Sequence, residues 1–327
     1  MGFWREFWRR RGVLNIALLP LSVLFGAAAA ARRALYARGV LPSFRAGAPV
    51  AVVGNLTAGG GGKTPLVIAL VLELQRRGFS PGVAARGFGG KFSGALMALH
   101  DTPWTQCGDE PLLIRRRTGA PVCVCKNRAA AAQQLTAAGC DIIICDDGMQ
   151  HYALSRDMEI CAVNAQFGLG NGWLLPAGPL REGGGRLAQC AYVAVCGAGD
   201  FVYPGAQPVA IITEGFYSLD GAARMAAEDF AGKKIAAIAG IAAPQRFFDS
   251  LRAAGIVPLE EYALRDHEKM DDKRLGEIAA DIILLTEKDA VKYSAADSRL
   301  HYMRVEARLP AVLADAVCRL AGAPPSG

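Results

Sequence analysis

No two of the nine cysteines stand at the two-residue spacing of a zinc knuckle, so the short zinc modules are excluded. An odd number of cysteines in 327 residues also argues against a disulfide framework and for a reducing compartment. Most of them fall in apolar runs such as PVCVC (121–125), DIIICD (141–146) and YVAVC (192–196), where a free thiol acts as a small buried hydrophobe. The body of the chain lacks a net basic charge as well. Residues 1–45 hold eight arginines (5, 9, 10, 11, 32, 33, 38 and 45) against Glu6, so the formal charge of +6 leaves the other 282 residues at −1. A nucleic-acid binder carries its basic surface on the folded body, so no nucleic-acid partner is expected. Internal repeats and low-complexity tracts are missing apart from alanine runs. With 52% hydrophobic and 20% charged residues the chain is neither disordered nor fibrous. Its length suggests two domains, each able to bury a core.

What is present begins at the amino terminus. Gly12 to Ala31 is a run of twenty residues without a charge, preceded by MGFWREFWRRR. In that prefix Phe3, Trp4, Phe7 and Trp8 share one helical face, and aromatic residues beside arginine are the composition of an interfacial anchor. A secretory signal, which the basic start and the small residues near Ala31 would fit, is argued against by the glycine-rich motif at 54–65. A true span would carry arginine on one flank only, whereas Arg9–Arg11 precede the run and Arg32–Arg33 follow it. Pro20 interrupts the middle. The reading preferred is a helix lying in the membrane plane, with membrane lipids as its partner and both ends on the cytoplasmic side.

After Pro42 short β-rich runs alternate with helical stretches. PVAVVG (49–54), PGVAA (81–85), PVCVC and DIIICDD (141–147) read as strands. The stretches at 64–78, 108–119 and 127–139 read as helices. The βα order implies an α/β fold, a mostly parallel sheet with helices on both faces and its ligand at the carboxyl ends of the strands. Residues 166–190 form a long glycine-rich loop. A second βαβ series starts at KKIAAIAG (233–240). The domains expected are an N-terminal membrane-associated helix (1–40), a P-loop nucleotide-binding domain (41–205), a linker (206–230) and a smaller α/β domain (231–327) closing over the substrate.

The sharpest motif is GNLTAGGGGKTP (54–65), a glycine loop between a strand and a helix. Backbone N–H groups of Thr57, Ala58, Gly59, Gly60, Gly61 and Gly62 would close around ATP phosphates, aided by the helix amino terminus. Lys63 would reach the β/γ-phosphates and the Thr64 hydroxyl would bind Mg²⁺. Asp146 and Asp147, where an apolar strand runs out, supply the oxygen ligands that Mg²⁺ requires. Arg181 and Glu182 of the glycine-rich loop suit a phosphate contact and the metal shell, directly or through water, or else a solvated ion pair. Arg86 and Arg128 stand at a loop and a helix start as phosphate contacts or as surface cations, and Gln150 and His151 are placed to touch sugar.

These strings, with ARGFGG (85–90), GDEP (108–111), DDGMQH (146–151), GPLREG (178–183), AGIAAPQRFF (239–248), DH (266–267) and TEKDAVKY (286–293), resemble the tetraacyldisaccharide 4′-kinases, the lipid A 4′-kinases of Gram-negative envelope synthesis. Ala85 and Phe88 stand where the family pattern has Ser and Tyr, and LRDHEKMDD replaces its Pro-Asp-His run. The resemblance implies transfer of the ATP γ-phosphate to the 4′-hydroxyl of a tetraacylated glucosamine disaccharide 1-phosphate, forming lipid IVA at the cytoplasmic face of the inner membrane. It places the general base on Asp109 with His267 sharing or orienting its proton, and makes Thr57 a family trait. Glu287, Lys288 and Asp289 match the family pattern, and their residue types alone assign them no chemistry. The alternative is a membrane-associated P-loop ATPase switch, which carries a second lysine early in the loop where this chain has Ala58.

Overall fold

The computed structural model describes residues 2–221 and 223–322; the side chain of Phe3 lies outside the described residues. The chain divides into two compact units. One holds Phe3–Ile211 together with the carboxy-terminal helix Ala311–Ala321, and the other holds Ile212–Glu306.

In the first unit the strands are β1 (Val50–Gly54), β2 (Pro81–Ala85), β3 (Leu96–Ala98), β4 (Val122–Val124), β5 (Ile142–Asp146), β6 (Met158–Asn164), β7 (Tyr192–Cys196) and the start of β8 (Gln207–Ser218). They lie in the order β8-β7-β6-β1-β5-β2-β4-β3, and every pairing is parallel except that of β3 with β4. The apolar runs explain this arrangement. Val50, Val52, Ala84, Ile143 and Cys145 pack with Ala131 and Leu135 of the helix Arg128–Ala137. The alternate residues Ala51, Val53, Val83, Ile142 and Ile144 are also fully buried, so both faces are covered, as a parallel sheet requires. The three-residue edge strand β3 is too short to show a period of two in sequence.

In the second unit β10 (Ile235–Ala239), β11 (Glu260–Ala263), β12 (Ile282–Thr286) and β13 (Leu300–Arg308) run parallel in the order β11-β10-β12-β13, while β9 (Arg224–Met225) pairs antiparallel with the far end of β8. Phe247, Phe248 and Leu251 of the helix Pro244–Ala253 cover one face, and Met270, Leu275 and Ile278 cover the other.

The expected boundaries differ in two places. Residues 206–230 are not a linker: β8 occupies twelve of them, and the division between the units falls inside that strand. The chain beyond Glu306 also leaves the second unit, because the helix Ala311–Ala321 buries Leu313 and Val317 and joins the helix Lys63–Arg76 through an Arg77–Asp315 ion pair of 2.7 Å. Sequence order says nothing about such a long-range return.

The uncharged amino-terminal run is not one helix. It is broken at Leu18 into Val13–Ala17 and Leu19–Ala37, with Pro20 in the first turn of the second helix, where its missing N–H does no harm. That helix continues through Arg32 and Arg33. Among the described residues no helix is long and apolar enough to cross a membrane. One side of the pair is fastened to the glycine-rich loop: Asn15 Nδ2 donates to Ala177 O (2.9 Å) and Ser22 Oγ to Leu174 O (2.9 Å). The other side exposes Val13, Leu14, Ile16, Leu21, Val23 and Leu24. Several anchor residues also bind protein: Trp8 Nε1 donates to Pro176 O (3.0 Å), Arg11 lies over Trp173, and Arg5 and Arg9 lie over Phe167.

Candidate active site

The parallel register sets the site. Val53 of β1 pairs with Asp146 of β5, so the glycine loop after β1 and the acidic pair after β5 leave the sheet side by side. Gly62, the last residue before the helix Lys63–Arg76, has a left-handed φ of 84°, and a Cβ there would lie 2.7 Å from Cys196 Cβ. Only glycine fits that position. Lys63 follows at the helix start. Its ammonium donates to Asn55 Oδ1 at 3.0 Å and pairs with Asp147 Oδ1 at 3.2 Å. Asn55, fully buried, also ties the loop by donating to Gly59 O at 3.0 Å.

The two aspartates are chemically distinct. Asp147 sits in a left-handed conformation (φ 49°) and takes Arg181 Nη1 at 3.1 Å as well as Lys63. Burial acts to raise its carboxyl, but these two cations outweigh it and hold the group well below the usual carboxylate range. Asp146 is 4% exposed, and its Oδ1 has no hydrogen-bond partner. Burial pushes it up to about 7, with Glu110 and Asp147 adding to the rise against the opposing Lys63 and Arg128. A buried carboxylate oxygen without a donor fits a cation ligand, because the cation supplies the interaction that the fold withholds.

The glycine-rich loop is tied to the glycine loop through Ala58 N–H to Pro179 O (2.8 Å) and Arg181 N–H to Leu56 O (2.7 Å), which delivers Arg181 to Asp147. Glu182, 7% exposed, accepts from Tyr152 Oη at 2.5 Å and Gln150 Nε2 at 2.9 Å, with Arg186 at 3.7 Å and Arg33 at 3.9 Å. Its carboxylate is therefore engaged by protein groups, as is that of Asp147. Among the described residues no three His, Cys, Asp or Glu side chains form a group that could hold a metal ion by themselves.

Three of the expected contacts are engaged by protein groups. Arg128 is 2% exposed and donates to Cys125 O (3.1 Å) and Asp146 O (3.5 Å), bracing two strand ends. His151 Nε2 accepts the Arg128 N–H at 3.2 Å, capping the helix Arg128–Ala137. Burial and the cations Arg128, Arg156, Arg32 and Arg86 lower its pKa to about 4, so the ring is neutral at pH 7. Gln150 bridges Glu182, Asn55 O and Arg181. Arg86 is exposed.

Asp109 is 2% exposed in the first turn of the helix Asp109–Thr118, and its Oδ1 accepts the Glu110 N–H at 2.8 Å. It stands one residue inside the helix; the cap itself is Gly108, with φ 90°. His267 belongs to the second unit, where its Nε2 lies 3.6 Å from Asp266 Oδ2. No place at the site is expected from sequence for Asn55, Tyr152, Arg186, Glu110 or Arg33, the last of which reads only as part of the anchor's basic flank. Only Asn55, a polar residue directly after a buried strand, carried a readable signal.

A model of the family described as tetraacyldisaccharide-1-P 4′-kinase (LpxK) matches residues 14–321. The chain belongs to that family. A tetraacyldisaccharide 4′-kinase of Idiomarina loihiensis is 42% identical over 92% of this chain and 91% of its own length. The fold of this family member is similar to that of LpxK from Aquifex aeolicus, solved in complex with ATP: the TM-score is 0.82 at 24% identity, covering 94% of this chain and 99% of that one.

Proposed function

We propose that the chain transfers the γ-phosphate of ATP to the 4′-hydroxyl of a tetraacylated glucosamine disaccharide 1-phosphate. Family membership supports the reaction, and the observation that carries it to particular residues is the Lys63 ammonium held at the glycine loop between Asn55 and Asp147. Residues 54–65 act as the P-loop, with the N–H groups of 57–62 on the phosphates and Lys63 on the β/γ-bridge. The residues present fit Mg²⁺: Thr64 and Asp146 would hold it, beside the carboxylates of Asp147 and Glu182, and when bound it would neutralise charge on the β- and γ-phosphates.

The chain's own work is positioning and proton removal. Asp109 accepts the proton of the 4′-hydroxyl as that oxygen attacks the γ-phosphorus and the bond to the ADP oxygen breaks. His267 is assigned to the same proton transfer on the family resemblance. Arg181 and the exposed Arg86 serve as phosphate contacts. The exposed apolar side of the helices Val13–Ala17 and Leu19–Ala37 rests in the cytoplasmic leaflet of the inner membrane, keeping the site at headgroup level where the acylated substrate lies.

The test is direct. Purified protein with Mg-ATP and the tetraacylated disaccharide 1-phosphate in detergent micelles should yield a product phosphorylated at the 4′-position. ATP consumption without that product would overturn the reading.

A further inference from the structure

The segment TEKDAVKY (286–293) has no role in the chemistry described so far, yet it contains the most deeply buried ion pair described in the second unit. Asp289 and Lys292 have side-chain exposures of 2% and 0%, and Lys292 Nζ lies 2.7 Å from Asp289 Oδ1. Removing two charges from water is costly, and two apolar side chains would fill the space without that cost. The pair's other contacts show what it holds.

Asp289 Oδ2 accepts the Gly240 N–H at 2.8 Å and the Thr286 hydroxyl at 2.6 Å. Gly240 O in turn accepts the His267 N–H at 3.0 Å. Lys292 Nζ also donates to Glu268 O at 3.2 Å, on the residue after His267. Two further members of the segment reach the same turn. Lys288 Nζ lies 3.4 Å from Asp266 Oδ1, and Tyr293 Oη accepts the Met270 N–H at 3.0 Å. The turn needs this support. His267 has φ 68°, a left-handed conformation that a residue with a Cβ keeps only where its surroundings enforce it. Gly240 permits the close approach, since a Cβ there would stand 2.6 Å from Glu268 O and 2.8 Å from Asp289 Oδ1.

We propose that Asp289 and Lys292 are positioning residues for His267: their buried pair clamps Gly240 and Glu268 on either side of the His267 turn and holds the imidazole in its working orientation. Neither side chain touches substrate. The proposal rests on the assignment of His267 to proton transfer, and the experiment separates the two.

Lys292→Met and Tyr293→Phe are made in the wild-type and His267→Ala backgrounds, and kcat and the KM for ATP are measured with the acylated disaccharide in micelles. Lys292→Met is expected to lower kcat about tenfold or more with the KM for ATP within about twofold, and to cost less than about twofold further once His267 is gone, because groups acting as one unit are not additive. An equal loss in both backgrounds would overturn the positioning role alone. His267→Ala at wild-type turnover would overturn the assignment of His267 and the proposal with it. If Lys292→Met does not fold, Tyr293→Phe, which deletes one hydroxyl that supports the turn, is judged by the same ratio of losses at a smaller scale.

Discussion

Lys63 and Asp147 are joined at 3.2 Å although they leave the sheet on different strands, one after β1 and the other after β5. The parallel register of those neighbours, Val53 against Asp146, makes the pair possible. Asp147 itself has a left-handed conformation, and its carboxylate pairs with both Lys63 and Arg181. One aspartate thereby pairs with the lysine, while the other keeps a buried carboxylate oxygen without a hydrogen-bond partner.

Lys63→Ala and Asp146→Asn should each lower turnover by about three orders of magnitude, since both act on charge that develops at the transferred phosphate. Thermal melting should be unchanged or higher for Asp146→Asn, which removes a buried carboxylate with an unpartnered oxygen. A variant with near-normal turnover would show that the phosphate site is elsewhere.

Asp109→Ala and His267→Ala should each reduce phosphoryl transfer at least about a hundredfold, and the double variant should be little worse than either single. Calorimetric titration with a non-hydrolysable ATP analogue should give dissociation constants close to wild type. Multiplicative losses would mean that the two groups serve separate steps.

Acid should destabilise the first unit through His151. Its folded pKa, about 4, lies below the ordinary 6.5, so between those values the unfolded chain binds the extra proton. The stabilisation is complete above pH 6.5, declines as pH falls towards 4, and is on the order of 2 kcal/mol for a half-buried ring. Urea midpoints at pH 7 and pH 4.5 measure it, and His151→Gln should reduce the difference.

Replacing Ile16, Val23 and Leu24 with serine should release the protein from anionic vesicles and lower kcat/KM for the acylated acceptor about tenfold or more, because these residues are exposed while Asn15 and Ser22 on the opposite side make the contacts to the glycine-rich loop. Vesicle flotation is the assay. The ATP dissociation constant should stay at its wild-type value, since none of the three touches the site.

The sequence by itself determined most of the elements of the first unit and the motifs that depend on neighbours along the chain. Short apolar runs specify buried parallel strands, GGGGKT specifies a glycine loop opening a helix, and a strand ending in Asp146-Asp147 specifies carboxylates at the same edge, because each is a local pattern with a local physical cause. Tertiary structure decided everything that depends on contacts between distant segments. It made Asp147 an ion-pair partner and left Asp146 with an unpartnered oxygen, bound Glu182 to Tyr152, buried Arg128 beneath the strand ends, returned Ala311–Ala321 to the first unit, and set the buried Asp289–Lys292 pair beneath the turn of His267. A residue type states what a group can do. Its partner, its burial and therefore its charge depend on which distant backbone the fold brings within 3 Å, and no spacing along the chain encodes that distance.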